Sequence, residues 1–207
     1  PLLAVAISLL AIPLILLTSS QPKLREFWTL AAAIIKFCLV FSLLPGVLDN
    51  KVAITSLVQI FPGVSLNLKA DAFGIFFGLV SSFLWILTSI YSIGYVRYLK
   101  EKHQTRYFAS FALCLSSTLG IAFAGNLLTF VIFYELLTIA TYPLVIHKGT
   151  PVAIKAGRKY LVFTLTAGVL LVAATAITNQ VTGQMEFQAG GISGFENVSP
   201  LTIKVLF

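Results

Sequence analysis

Glu135 is the residue best placed in this sequence to do chemistry inside a membrane. It lies near the middle of an apolar run from Asn126 to His147, which is long enough to cross a bilayer. An ionised side chain at that depth costs about 2.5–3.5 kcal/mol on insertion scales. Burial disfavours the charged form of a carboxyl and a nearby cation favours it, so the two together make a group that exchanges a proton. We therefore interpret Glu135 as a proton-carrying carboxylate; the alternative is a permanently protonated acid that hydrogen-bonds a neighbouring helix.

Three residues on the same run are candidates to support Glu135. At 100° per residue, Thr138 and Tyr142 fall on its helical face, which predicts one narrow polar stripe on an apolar cylinder. His147 follows about 18 Å further along the helix, at the end of the run. It is a candidate for proton uptake, although a histidine at a membrane interface needs no special role.

Lys36 is a second ionisable residue inside an apolar run. Three interpretations stay open: Lys36 pairs with Glu135, belongs to a second site, or extends toward the membrane surface or a subunit contact. The last is favoured, because a lysine stem can lie in apolar surroundings while its charge reaches water. Asp71 stands at the head of another run, where an acid is expected to cap a helix.

The composition indicates a membrane protein. Of 207 residues, 58% are hydrophobic and only 10% are charged, whereas soluble domains carry about 25% charged residues. The net charge of +7 does not indicate nucleic-acid binding, because the basic residues fall between apolar runs rather than along one face. The sequence lacks a pair of intramembrane histidines, a cysteine cluster and a Gly-rich nucleotide loop, so we expect neither a cofactor nor a metal.

Six apolar runs are long enough to span a bilayer, which predicts an all-α polytopic membrane fold in a single domain over residues 1–207. The predicted spans are 2–18, 27–48, 72–96, 107–124, 127–146 and 160–179. Outer loops are expected at 49–71 and 180–204, and the first of them is either a short β-hairpin or an irregular loop. The fourth and fifth spans meet at Gly125-Asn126 and must form a tight antiparallel hairpin. Because the sequence starts at Pro1 and ends at Phe207 within an apolar run, we expect a piece of a longer protein.

The basic residues predict the orientation. Ten of the 14 Lys and Arg residues lie in the first, third and fifth connections, and three lie in the others. By the positive-inside rule, the N-terminus is outside and the loops 97–106 and 148–159 face the cytoplasm.

Several short motifs together resemble one family, the antiporter-like membrane subunits. These subunits are shared by Mrp-type Na+/H+ antiporters, respiratory complex I and membrane-bound hydrogenases. The similarity covers roughly residues 70–185 and is strongest to the D subunit of Mrp antiporters and to the complex I subunits of the same size class. The motifs that carry it are Asp71-Ala-Phe-Gly74, Tyr91-Ser-Ile-Gly-Tyr95, Arg106-Tyr-Phe108, Asn126-Leu-Leu128, Phe133-Tyr-Glu-Leu136, Lys155-Ala-Gly-Arg-Lys-Tyr160 and Thr182-Gly183.

The resemblance implies a function and a partner for Glu135. It implies about fourteen helices in two inverted repeats, and an ion pair between Glu135 and a Lys on an interrupted helix beyond residue 207. It also implies a subunit that translocates protons or Na+ beside other membrane subunits in a bacterial plasma membrane, rather than an enzyme in its own right. The alternatives are a proton-pumping subunit of a complex I-type oxidoreductase or hydrogenase, and a non-conducting structural subunit.

Overall fold

Seven helices and one β-hairpin make up the described part of the chain. The computed structural model describes residues 1–49, 51–61, 64–188, 191–192, 194–195 and 203. The elements, in chain order, are α1 (Leu2–Leu17), α2 (Pro22–Phe41), α3 (Leu44–Leu48), β1 (Ala53–Phe61), β2 (Val64–Ala70), α4 (Ala72–Tyr98), α5 (Gln104–Ala122), α6 (Leu127–Val145) and α7 (Pro151–Thr182).

A helix occupies each of the six predicted spans, so the all-α polytopic prediction is confirmed. Four segments are long and apolar enough to cross a membrane: Pro22–Leu48, Ala72–Tyr98, Leu127–Val145 and Pro151–Thr182. Helix α1 is apolar but has 16 residues, and α5 is less apolar because a row of serines lies on its buried face. The bundle therefore surrounds α5, which packs against α1, α4 and α6.

Small residues let α4 approach its neighbours closely. A methyl group on Gly74 would lie 2.6 Å from the carbonyl oxygen of Ala122 at the end of α5. A methyl group on Gly78 would lie 2.9 Å from the Leu119 side chain and 3.1 Å from that of Val40 on α2. Such spacing of small residues is a usual device for packing helices in lipid.

The connection that the sequence predicts as the first outer loop contains a β-hairpin rather than only irregular structure. Strands β1 and β2 pair antiparallel, with irregularities in register after Ser56 and Gln59. Leu68 and Ala70 alternate into the core, where they are fully buried. Asp71 caps α4 as predicted, accepting a hydrogen bond of 2.8 Å from the backbone N–H of Gly74.

The predicted start of the sixth span, residue 160, lies after the start of the helix that occupies it. The sequence places a loop over residues 148–159, but α7 starts at Pro151 behind the N-cap Thr150, whose side chain accepts from Ala153 N–H. Proline at the first helical position and a capping threonine favour this start. The basic residues there lie on an exposed helical turn, and only 148–150 remain a connection. The outer loop 180–204 falls partly outside the described residues.

Candidate functional site

Asn126 fixes the start of α6 and hence the depth of Glu135. Its side-chain oxygen accepts a hydrogen bond of 2.8 Å from the backbone N–H of Thr129 and one of 2.7 Å from the Thr129 hydroxyl. Its side-chain N–H groups donate a hydrogen bond of 2.6 Å to the carbonyl oxygen of Ser65 in β2 and one of 3.1 Å to the carboxylate of Glu186. The cap thus ties α6 to the hairpin, and Glu135 follows about 13 Å along the helix axis.

The Glu135 carboxyl sits directly against the backbone of α7. A methyl group built on Gly168 would overlap its carboxyl oxygens, so the carboxyl can hold this position only while residue 168 is a glycine. The Oε1 atom is buried and has no hydrogen-bond partner among the described residues. A buried carboxyl oxygen without a partner is costly and needs a proton, a water molecule or a cation to satisfy it.

A cavity of about 770 Å³ opens beside Glu135 between α6 and α7. Its polar lining comes from Glu135, Thr175 and Asn179, with the rest supplied by apolar residues. The Thr175 hydroxyl donates a hydrogen bond to the carbonyl oxygen of Leu171. Glu135 is therefore the ionisable group that this cavity presents to an incoming proton or ion.

Tyr142 and Thr138 lie on the same helix as Glu135 but have different surroundings. Tyr142 packs against Gly157 of α7, as Glu135 packs against Gly168, so both side chains face the same helix. Thr138 is buried, with 5% of its surface exposed. One turn on, the hydroxyls of Thr141 and Tyr160 form a hydrogen bond of 2.5 Å that the sequence did not indicate. The α6–α7 contact therefore carries more polar groups than the predicted stripe.

His147 belongs to a polar cluster at the end of the bundle that carries the basic connections, here called the basic end. Its Nε2 lies 3.9 Å from a Glu101 carboxyl oxygen, and its ring meets that of Tyr107 edge-on at 5.4 Å. Burial lowers the pKa of His147, Glu101 opposes this shift, and Arg106 and His103 add to it. A cavity of about 350 Å³ opens beside His147. His147 and Glu135 thus lie at two separate cavities.

Lys36 is fully buried, so the expectation that it extends toward the membrane surface is wrong. Its side chain is 1% exposed and its Nζ donates 2.7 Å to the carbonyl oxygen of Leu115. The Nζ also lies 5.2 Å from the centroid of the Trp85 ring. Among the described residues no ion pair joins Lys36 to Glu135. Of the three interpretations, a site separate from Glu135 is the one that agrees with these contacts of the described residues.

Three features of these sites were not predicted from the sequence. They are the seat of Glu135 on Gly168, the polar environment of Lys36, and the ion pair of Glu26 with Arg97. The spacing of the small residues Thr164 and Gly168 on α7 is the sequence signal for a close helix contact at Gly168. The contacts of Lys36 and Glu26 have no local signal, because they join residues 79 and 71 positions apart. In the part of the chain that the structure describes, no three His, Cys, Asp or Glu side chains are grouped to hold a metal ion.

Residues 124–203 match the family described as "NADH:quinone oxidoreductase/Mrp antiporter, TM". Over 204 residues the chain is 24% identical to the D subunit of the Na(+)/H(+) antiporter of Bacillus subtilis, covering 99% of this chain and 39% of that protein. It is also 24% identical over 127 residues to hydrogenase-4 component B of Escherichia coli, covering 61% of this chain and 19% of that protein. The chain thus spans about two fifths of the length of its Bacillus subtilis relative.

Two solved structures share the fold. The membrane-bound sulfane sulfur reductase, an archaeal respiratory membrane complex, superposes with a TM-score of 0.78 at 19% identity, covering 89% of this chain and 38% of that chain. The Mrp complex of Dietzia sp. gives a TM-score of 0.71 at 21% identity, with 89% and 36% coverage. Together with the sequence matches, these confirm the resemblance to the antiporter-like membrane subunits. The chain is a multi-pass integral membrane protein of this fold.

Proposed function

We propose that this chain is part of an ion-translocating subunit of a multisubunit membrane complex, most like the D subunit of an Mrp-type Na+/H+ antiporter. The similarity to the Bacillus subtilis antiporter protein over 99% of the chain supports this proposal. Its partners would be other membrane subunits, as the Mrp complex and the respiratory complex suggest. The transported ions would be protons, Na+ or both, in a bacterial plasma membrane.

Glu135 is the proton-carrying group of the proposed function. The observation that carries this role is its buried, unpartnered Oε1 at the wall of a cavity about halfway along α6. The carboxyl takes up a proton from the cavity and releases it when a neighbouring positive charge favours the carboxylate. By resemblance, that charge is a Lys on a helix beyond residue 207. Tyr142 holds α7 at a fixed distance, and His147 serves uptake at the basic end.

The test is Glu135→Gln in the assembled complex, with ion flux measured in vesicles. The amide has nearly the same shape but cannot exchange a proton, so we expect flux to fall by about tenfold or more. Glu186→Gln is the matched control, because Glu186 accepts hydrogen bonds from Asn67 and Asn126 that an amide oxygen can also accept. Flux at the wild-type level in Glu135→Gln would remove Glu135 from the mechanism.

A second candidate is a proton-pumping subunit of a redox-driven complex. It is favoured by the matched family description, which includes NADH:quinone oxidoreductase, and by the fold shared with an archaeal respiratory complex. Purification of the native complex separates the two candidates. Co-purifying redox subunits and flux that needs an electron donor would favour the respiratory type, whereas flux driven by an ion gradient alone would favour the antiporter.

A non-conducting structural subunit is the remaining alternative. In that case Glu135→Gln would leave flux unchanged, while Glu135→Leu would impair assembly because an apolar side chain cannot make the polar contacts by which the carboxyl would hold the helix interface. The yield of assembled complex, measured beside flux for both variants, distinguishes this alternative from a proton-carrying role.

A further inference from the structure

Lys36 has few groups to satisfy its charge. An ammonium has three donors, and in the described residues Nζ uses one of them, on the Leu115 carbonyl. The Trp85 ring offers a second, weaker stabilising contact. Burial of a charge is costly unless it is paired, and no carboxylate pairs with Lys36 among these residues. The ammonium therefore has little to hold its proton.

The helices packed around Lys36 contribute no fixed charge at its level. The buried cluster that contains Trp85 draws on α1, α2, α4 and α5. Helix α1 has no ionisable side chain, α4 has none from Ala72 to Ile90, and α5 contributes only Cys114 in its apolar part. On α2, Glu26 lies about 15 Å away along the axis and is already bound by Arg97. No fixed charge on these described helices therefore holds the amine in one protonation state.

A buried polar stripe on α4 leads from Lys36 toward the basic end. Its members are spaced three and four residues apart and are all at most 4% exposed: Ser82, Trp85, Ser89 and Ser92. The Ser89 hydroxyl and the Trp85 indole N–H have no hydrogen-bond partner in the described structure. Buried polar groups in this state are where proteins hold internal water.

The stripe reaches the cavity beside His147. Ser92 and Tyr107 join through their hydroxyls at 3.2 Å, and the Tyr107 ring contacts the His147 ring. From Ser92 to Trp85 the distance along α4 is about 10.5 Å. Ser89 lies between them, one turn from each. Buried polar side chains therefore lie at intervals of three and four residues between the basic-end cavity and the Trp85 ring beside Lys36, and Glu135 is not among them.

We propose that Lys36 is a second proton-binding site, supplied from the His147 cavity through Tyr107, Ser92, Ser89 and water bound between them. The nitrogen lone pair of the neutral amine accepts a proton from a hydrogen-bonded water, and each donor along the stripe is reprotonated by its neighbour. One proton moves and no group is oxidised or reduced. The inference rests on the proposed function for its physiological meaning. Lys36 lies outside the segment that matches the family.

The first test uses the assembled complex and four variants. We expect Lys36→Met and Lys36→Arg each to lower ion flux by about tenfold or more, because neither side chain can cycle a proton. Ser89→Ala should lower flux severalfold. Thr88→Val, on the exposed face of the same helical turn, should leave flux unchanged. Wild-type flux in Lys36→Arg would overturn the proposal; if the lysine variants do not assemble, wild-type flux in Ser89→Ala overturns it.

A second test does not depend on transport. Protonation changes the charge 5.2 Å from the Trp85 ring, so Trp85 emission should change across about pH 5 to 10. The Trp85 signal is obtained as the difference between wild type and Trp85→Phe, and we expect its pH dependence to vanish in Lys36→Met. A Trp85 signal independent of pH, or unaltered in Lys36→Met, overturns this inference whatever Glu135 does. Failure of Glu135→Gln to reduce flux would instead remove Glu135 from the proposed mechanism and would leave the Trp85 result unchanged.

Discussion

Glu135 and Lys36 show how differently two ionisable residues are held within one bundle. Glu135 is half-buried at a cavity wall, and its environment on one side is set by a glycine of α7. Lys36 is fully enclosed by side chains of four helices and ends on a single carbonyl. Each has less polar compensation than a purely structural charge needs. This shared deficit is the physical reason why we propose both residues for proton exchange.

The Gly168 contact gives a prediction at the scale of a single residue. Gly168→Ala places a methyl group where the Glu135 carboxyl lies, so the carboxyl must turn away or α7 must move. We expect flux to fall by about tenfold with assembly retained, because a displacement of about 1 Å disturbs proton transfer. Gly94→Ala is the matched control, since a methyl group there meets no atom within 4 Å. Equal flux in both variants would show that the contact is not needed.

At the scale of elements, β2 and two chain segments make a small sheet-like cap over the hairpin end of the bundle. The N–H of Lys69 donates to the Phe123 carbonyl, and Gly125 N–H donates 2.8 Å to that of Asn67. On the other side, Leu127 and Phe187 continue the pattern through backbone bonds to Met185 and Gly125. This cap binds the α5–α6 hairpin to the segment after α7. It therefore fixes both walls of the Glu135 cavity.

Removal of the Asn126 side chain should weaken this cap. Asn126→Ala leaves the N–H of Thr129 and the carbonyl of Ser65 without their side-chain partners, which we expect to cost about 2–3 kcal/mol. The measurement is the thermal unfolding midpoint in detergent. Thr150→Ala, which removes an exposed cap from α7, is the control and should cost about 1 kcal/mol or less. A shift no larger than that of the control would contradict a structural role for Asn126.

At the scale of the whole molecule, the bundle separates its two polar regions. The basic end holds the Glu26–Arg97 ion pair, the hydrogen bonds of Arg25 to helix α5, and the His147 cluster. The opposite end holds the hairpin and its neutral amides. Apolar side chains cover the outward faces of α2, α4 and α7 between the two ends. This arrangement suits a chain that sits across a membrane with its basic end on one side.

The predicted orientation can be measured by cysteine labelling in intact cells. In a background of Cys38→Ala and Cys114→Ser, Lys51→Cys should react with a membrane-impermeant thiol reagent and Lys102→Cys should not. Both positions are exposed in the structure, so the difference reports the side of the membrane. After the cells are opened, Lys102→Cys should react as fast as Lys51→Cys. The reverse pattern in intact cells would place the N-terminus inside.

The sequence alone determined the local features of this protein. The six helical segments and the Asp71 cap follow from hydropathy, periodicity and capping residues, which are properties of neighbouring positions. Turn residues made a hairpin between the second and third spans one of two alternatives, and the structure decided between them. Glu135 was also found in this way, because a lone acid in an apolar run is visible without a structure. The helical start of α7 was missed because charged residues lowered the hydropathy of its first turns.

Only the tertiary structure decided what surrounds the ionisable groups. Lys36 was expected near a surface, yet its partners Trp85 and Leu115 come from helices 49 and 79 positions away in the sequence. Likewise, nothing local to Glu135 indicates that a glycine 33 positions later seats its carboxyl. Helix packing sets these contacts, because the same apolar helix can turn any face toward the bundle. The sequence determines how far along each apolar helix a charge lies, and helix packing determines which residues contact it.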